Sequence, residues 1–180
     1  MRTPFLLLLA ATLLAACASS APPPLRSDEF ALVGRVAVRY GEEAASGRVA
    51  WRHTETDDDL VLSTPLGQGI AEITRREGVY TLVGANRERL TATDPERLTE
   101  QALGYALPLA GLPDWVRARP QAGVAADARY EGRELVELRQ HGWTIEYLAY
   151  GDDRLPQRMR LARGALDIRL AIEEWQVAPR

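Results

Sequence analysis

Leu166-Asp167-Ile168-Arg169-Leu170-Ala171-Ile172-Glu173 is the stretch whose reading decides the fold. A strand sends successive side chains to opposite faces. The alternation therefore puts Leu166, Ile168, Leu170 and Ile172 on one face, and Asp167, Arg169 and Glu173 on the other. That is the pattern of a half-buried strand, and the run extends through Val177. Upstream, Glu134–Gln140, Trp143–Tyr150 and Arg158–Arg163 are strand candidates. At the other end of the domain, Phe30–Tyr40 alternates in the same way, with Leu32, Val36, Val38 and Tyr40 opposite Arg35 and Arg39. Arg48–His53, Leu60–Thr64, Ile70–Arg75, Val79–Val83 and Arg89–Thr93 follow, separated by turn formers. With no helix between such closely spaced strands, they form an antiparallel meander and not βαβ units.

The pattern breaks in the middle. Asp94-Pro95-Glu96 opens a helix, with an N-cap acid, proline in the first turn and Gly104 as its stop. Leu98, Ala102 and Tyr105 form its stripe, and a second short helix is expected over Asp114–Arg117. About eleven strands thus surround a helical insertion, giving a mainly β fold. A long sheet with one apolar face has to bury that face, and it can do so by curling around the inserted helices. The expected result is an incomplete antiparallel barrel with a short helical lid over an apolar cavity; a filled core is the alternative. Val36, Val38, Trp51, Leu62, Trp115, Trp143, Ile145, Tyr147, Leu170 and Ile172 are the expected inward apolar surface.

The 180 residues suit a single domain, expected over 28–180. Residues 1–16 have a signal-peptide pattern, with Arg2 followed by the apolar run Phe5–Leu14, too short to cross a bilayer. Leu14-Ala15-Ala16-Cys17 matches the lipobox, after which the cysteine becomes a lipidated N-terminus. One acyl chain binds a bilayer marginally and two or more bind it stably, so a lipidated Cys17 is an anchor. Residues 17–27, rich in Pro, Ser and Ala, read as a flexible tether.

Net charge is −3 from 22 basic and 25 acidic residues, becoming about −4 once Arg2 is removed. That balance gives no electrostatic case for a nucleic-acid partner. All 22 basic residues are arginines, which excludes a lysine Schiff base or a P-loop lysine. With one cysteine, neither a disulfide framework nor a cysteine-rich zinc site can form within the chain. Asp57-Asp58-Asp59 reads as a solvated turn, not a metal site, and His141-Gly142 as a hairpin turn. His53 could share the face of Trp51, but no nucleophile motif accompanies it, so catalysis has no positive support.

Several residues in order resemble one family, the LolB outer-membrane lipoprotein receptors of Gram-negative bacteria. They are Cys17, Gly34-Arg35, Trp51, Pro65-Leu66-Gly67, Leu103-Gly104, Leu107-Pro108, Leu112 with Trp115, Gln140, Gly142-Trp143, Tyr147, Leu155-Pro156 and Ile172–Trp175. The resemblance implies a half-barrel whose cavity holds acyl chains. It also implies that lipoproteins are accepted from LolA, a soluble periplasmic carrier, and placed in outer-membrane phospholipid. The family's exposed loop leucine corresponds to Leu66. No metal, nucleotide or other cofactor is implied, and the protein is expected to be a monomer anchored to the periplasmic leaflet. Ala18, where enteric bacteria use aspartate for inner-membrane retention, agrees with that address. Rival readings are an envelope assembly or structural factor with a filled β core, and a lipid-cleaving enzyme. A LolA-type shuttle is disfavoured by the lipobox.

Overall fold

The computed structural model describes residues 25–178, so the signal peptide, Cys17 and most of the tether lie outside the described residues. Six strands come first: β1 (Phe30–Tyr40), β2 (Glu43–His53), β3 (Asp57–Ser63), β4 (Gly69–Arg76), β5 (Val79–Gly84) and β6 (Arg89–Ala92). Helices α1 (Pro95–Leu103) and α2 (Leu112–Trp115) follow. Five more strands close the chain: β7 (Asp127–Glu131), β8 (Glu134–Gln140), β9 (Trp143–Tyr150), β10 (Pro156–Arg163) and β11 (Leu166–Val177).

All eleven strands form one sheet in the order β6-β5-β4-β3-β2-β1-β11-β10-β9-β8-β7. Every neighbour is consecutive in the chain except the central pair, where β1 and β11 join two meanders antiparallel. The edge strands β6 and β7 do not pair, so the barrel is open. Polar helices cannot cover that gap, and the insertion between β6 and β7 lays an apolar stripe across the concave face instead. In α1, Asp94 Oδ1 accepts from the amides of Glu96 and Arg97 at 3.0 and 3.2 Å, and Gly104 ends the helix at φ 82°. Leu98 and Thr99 are its buried side.

A bulge in the central pair keeps both ends of β11 productive. Val33 faces Glu174 but Gly34 faces Ile172, so Glu173 is the extra residue. The bulge resets the alternation and turns Trp175 inward beside Leu32. Gly34 is required there, because a Cβ would lie 2.4 Å from the Ala171 carbonyl oxygen.

Three expectations are corrected, and one strand, β7, is added. β2 begins at Glu43 and not at Arg48, because its first residues are small or exposed and show no apolar alternation. β7 lies in a stretch without periodicity, an edge strand with almost every residue exposed. The second helix is Leu112–Trp115 and not Asp114–Arg117, since Pro113 fits its first turn. Asp57-Asp58-Asp59 is not a solvated turn but the start of β3, with Asp58 only 8% exposed.

Candidate functional site

A cavity of about 160 Å³ lies between the concave face and the lid. Its wall is Leu32, Val36 and Val38 from β1, Val49 and Trp51 from β2, Leu60 and Leu62 from β3, and Ile70 and Ile73 from β4. Leu161 of β10 and Ile168 and Leu170 of β11 complete it. Leu103, Tyr105, Leu107, Leu109, Leu112 and Val116 form the ceiling. Strand alternation aims these wall residues at the lid, except Ile70, the extra residue of a register shift in β4 opposite Leu62 and Ser63.

The cavity lies under the first meander and the adjoining β11 and β10, because α2 fills the rest of the second. Trp115 is fully buried, and its indole N–H donates to Gln140 Oε1 at 2.8 Å. The Trp115 carbonyl accepts from the Tyr147 hydroxyl at 2.9 Å. Gln140 is itself buried and braces Gln121, accepting from its amide at 2.9 Å and donating to its carbonyl at 2.9 Å. Burial of the Tyr147 phenol, with smaller contributions from Tyr150 and Tyr130, pushes its ionisation far above the usual range, so it remains a donor. Gly111 makes room: a Cβ there would lie 2.6 Å from the Trp115 ring.

Of the ten residues expected to face inward, Val36, Val38, Trp51, Leu62 and Leu170 line this cavity. Trp115, Trp143, Ile145, Tyr147 and Ile172 do not; they are buried in the packed core. The division follows from where one large side chain, Trp115, comes to rest.

The closed end of the cavity has a polar support that sequence reading missed. Asp58 Oδ1 accepts from the Trp51 indole N–H at 2.9 Å and from His53 Nδ1 at 2.7 Å, and Asp58 Oδ2 accepts from Arg75 Nε. Burial pushes the Asp58 carboxyl up, but the hydrogen bonds from His53 and Arg75, the charge on His53 and the Trp51 indole outweigh it. The carboxyl is left below its ordinary value. Its signal was the register: Leu60 faces Trp51, so Asp58 must face His53 on the same inward side.

The open end carries Ala45, Ser46, Ile70 and Tyr105. Strand directions put the β3–β4 loop at this end too. The loop is a tight turn: the Thr64 amide donates to Gln68 O at 2.8 Å, and Gly67, at φ 88°, donates to Thr64 O at 2.9 Å. Pro65 precedes Leu66, which is 91% exposed and touches none of the core.

An open antiparallel sheet cupping an apolar cavity beneath a helical lid defines a lipid-binding receptacle. The family model described as "Outer membrane lipoprotein LolB" matches residues 28–175. Outer-membrane lipoprotein LolB of Thiobacillus denitrificans is 40% identical over 154 residues, covering 85% of this chain and 83% of that protein. The proteins of the same name from Pseudomonas syringae pv. syringae and Pseudomonas paraeruginosa are 37% and 38% identical, each covering 83% of this chain and 75% of theirs. The chain belongs to the LolB family.

Proposed function

We propose that this protein is an outer-membrane lipoprotein that receives other lipoproteins by their acyl chains and inserts them into the outer membrane. The observation that carries this is the apolar cavity, continuous with the lid and opening beside a projecting leucine. Exposing acyl chains to water costs about 0.8 kcal/mol per methylene, so a carrier chain of apolar cavities can pass cargo downhill without nucleotide. At about 160 Å³ the cavity is close to the ~150 Å³ that accepts one benzene, so a complete acyl chain enters only as the lid lifts.

On this reading Cys17 is the lipid anchor, residues 1–16 are removed, 17–27 are the tether and 28–180 are the receptor. LolA is the donor and outer-membrane phospholipid the acceptor, and the protein acts as a receptor and not as an enzyme. Leu66 enters the bilayer, a contribution of ~1.5–3 kcal/mol if its side chain is fully buried there.

Transfer of lipoprotein from a purified LolA complex to the mature chain, then to liposomes, tests the reading. Leu66→Glu is expected to keep the melting temperature and uptake while delivery falls sharply. A large loss of uptake or stability would show that the loop belongs to the core, and failure of the wild type to accept cargo would refute the receptor reading.

A further inference from the structure

The convex side of the same sheet carries an arrangement of charge that the cavity does not use. Arg35 of β1 lies directly opposite Arg48 of β2, and Arg160 of β10 directly opposite Arg169 of β11. Like charges facing each other across strands are destabilising, so two such pairs need something to offset them. Each pair has one carboxylate. Glu173, freed by the β11 bulge, reaches Arg35 at 2.8 Å and Arg48 at 3.1 Å, while Asp167 reaches Arg160 at 2.5 Å and Arg169 at 3.3 Å. Glu146 adds a contact to Arg160 at 3.1 Å. Arg39 and Arg158 on the same face have no carboxylate partner among the described residues.

Four guanidinium groups thus engage three carboxylates and two engage none, leaving an excess of three positive charges in a chain whose net charge is −3. Between them the surface is low. A trough of about 510 Å³ runs over Ala37 and Ala171, walled by Arg35, Arg48, Arg158 and Arg169, and a second depression continues it to Arg39. Two further wall residues point to a bilayer. Leu148 is 60% exposed, and Pro65 is the chain neighbour of the projecting Leu66.

We infer that this trough binds the phosphate of an anionic phospholipid headgroup while Leu66 is in the bilayer. Guanidinium groups match phosphate oxygens in a planar, bidentate geometry that ammonium groups do not offer. A phosphodiester in the trough supplies the missing negative charge, and Leu148 and Leu66 flank it with apolar surface. The inference rests on the proposed delivery to a membrane and extends it by naming a second, electrostatic contact.

The test uses the mature chain carrying Cys17→Ala, which retains every described residue, and vesicle flotation. Vesicles are phosphatidylcholine alone or with about one third phosphatidylglycerol. A basic residue near an anionic surface is worth roughly fivefold in affinity. The double variant Arg39→Gln/Arg158→Gln is therefore expected to lose on the order of 25-fold on phosphatidylglycerol vesicles and to be unchanged on phosphatidylcholine. Wild-type binding to the anionic vesicles is expected to weaken with salt. Arg129→Gln/Arg139→Gln, on the distant strands β7 and β8, is the control and is expected to change neither. Equal binding by the trough variant overturns the inference. Retained vesicle binding with lost uptake from LolA also overturns it, by assigning the trough to an acidic protein. If Leu66→Glu lowers binding to both vesicle types while the trough variant binds normally, the trough alone fails. If neither the wild type nor any variant binds either vesicle, the membrane reading fails with it.

Discussion

Asp58 shows how one carboxylate fixes the shape of an apolar wall. Its three side-chain donors, Trp51, His53 and Arg75, come from β2 and β4, on either side of its own strand. Arg75 also donates from Nη2 to the Thr54 carbonyl at 3.0 Å, so the network closes the end of the β2–β3 turn. The indole of Trp51 is consequently held edge-on to polar atoms while its ring lines the cavity. Removing one member of a buried ion pair leaves the other charge uncompensated, at a cost of about 3–5 kcal/mol. Asp58→Ala is expected to lower stability by that order in denaturant unfolding. The sign of the pH effect follows from the lowered folded-state value. A carboxyl depressed on folding stabilises above its unfolded pKa, and that contribution is lost as pH falls through the folded one. Melting temperature is therefore expected to hold down to the ordinary carboxylate range near 4 and to fall below it, with a shallower acid limb in Asp58→Asn. An unchanged acid limb in that variant would remove Asp58 from the account.

The lid elements are fastened very differently. α2 is bolted down through Trp115, Gln140 and Tyr147, all buried. α1 and the segment after it form a second unit, since Thr99 Oγ1 accepts from the Leu107 amide at 2.8 Å. That unit is tied to the sheet by Arg163, which donates to Glu96 Oε2 at 3.0 Å and to the Ala106 carbonyl at 3.4 Å. The same guanidinium lies 4.7 Å from the Trp143 ring centre. Both partners of the ion pair are about one third exposed, so screening keeps its worth to ~1 kcal/mol or less. Arg163→Met is expected to leave the melting temperature within a few degrees, to speed amide exchange over 96–107, and to speed uptake of a fluorescent acyl probe. Unchanged exchange would show that apolar contacts alone hold the lid. The strands were legible in the sequence wherever one face is buried, as in β1, β8, β9 and β11, because alternation is then strict. The capping signals of α1 were equally plain. β7 and the first half of β2 were not, because exposed small or polar residues leave no period to read. Nor was the division of the apolar face into cavity and filled core, which depends on Trp115 packing against residues far away in the chain.

Across the whole molecule the sheet sets a distance that the tether has to match. β1 enters at Phe30, opposite the end that carries Leu66 and the cavity mouth. From Phe30 to Arg35, the level at which Ser63 pairs through Arg48, is five steps or about 17 Å at roughly 3.4 Å per step. The three residues on to Leu66 add at most ~10 Å. The chain just before it is pinned, since Arg117 donates to the Asp28 carbonyl at 2.8 Å. From Cys17 to Leu25 there are eight steps, which reach at most ~29 Å fully extended. If the lipid on Cys17 and the Leu66 loop share one bilayer, the tether has almost no slack, and the domain leans to bring the mouth down. Shortening it should separate the two steps of the proposed reaction. Deletion of residues 20–23 removes ~14 Å of reach and is expected to leave uptake from LolA and the melting temperature unchanged. Delivery into the membrane holding the protein is expected to fall severalfold, and a flexible insert of about eight residues at the same place should restore it. Undiminished delivery by the deletion variant would mean that the Leu66 end hands cargo to a different membrane from the one holding the anchor.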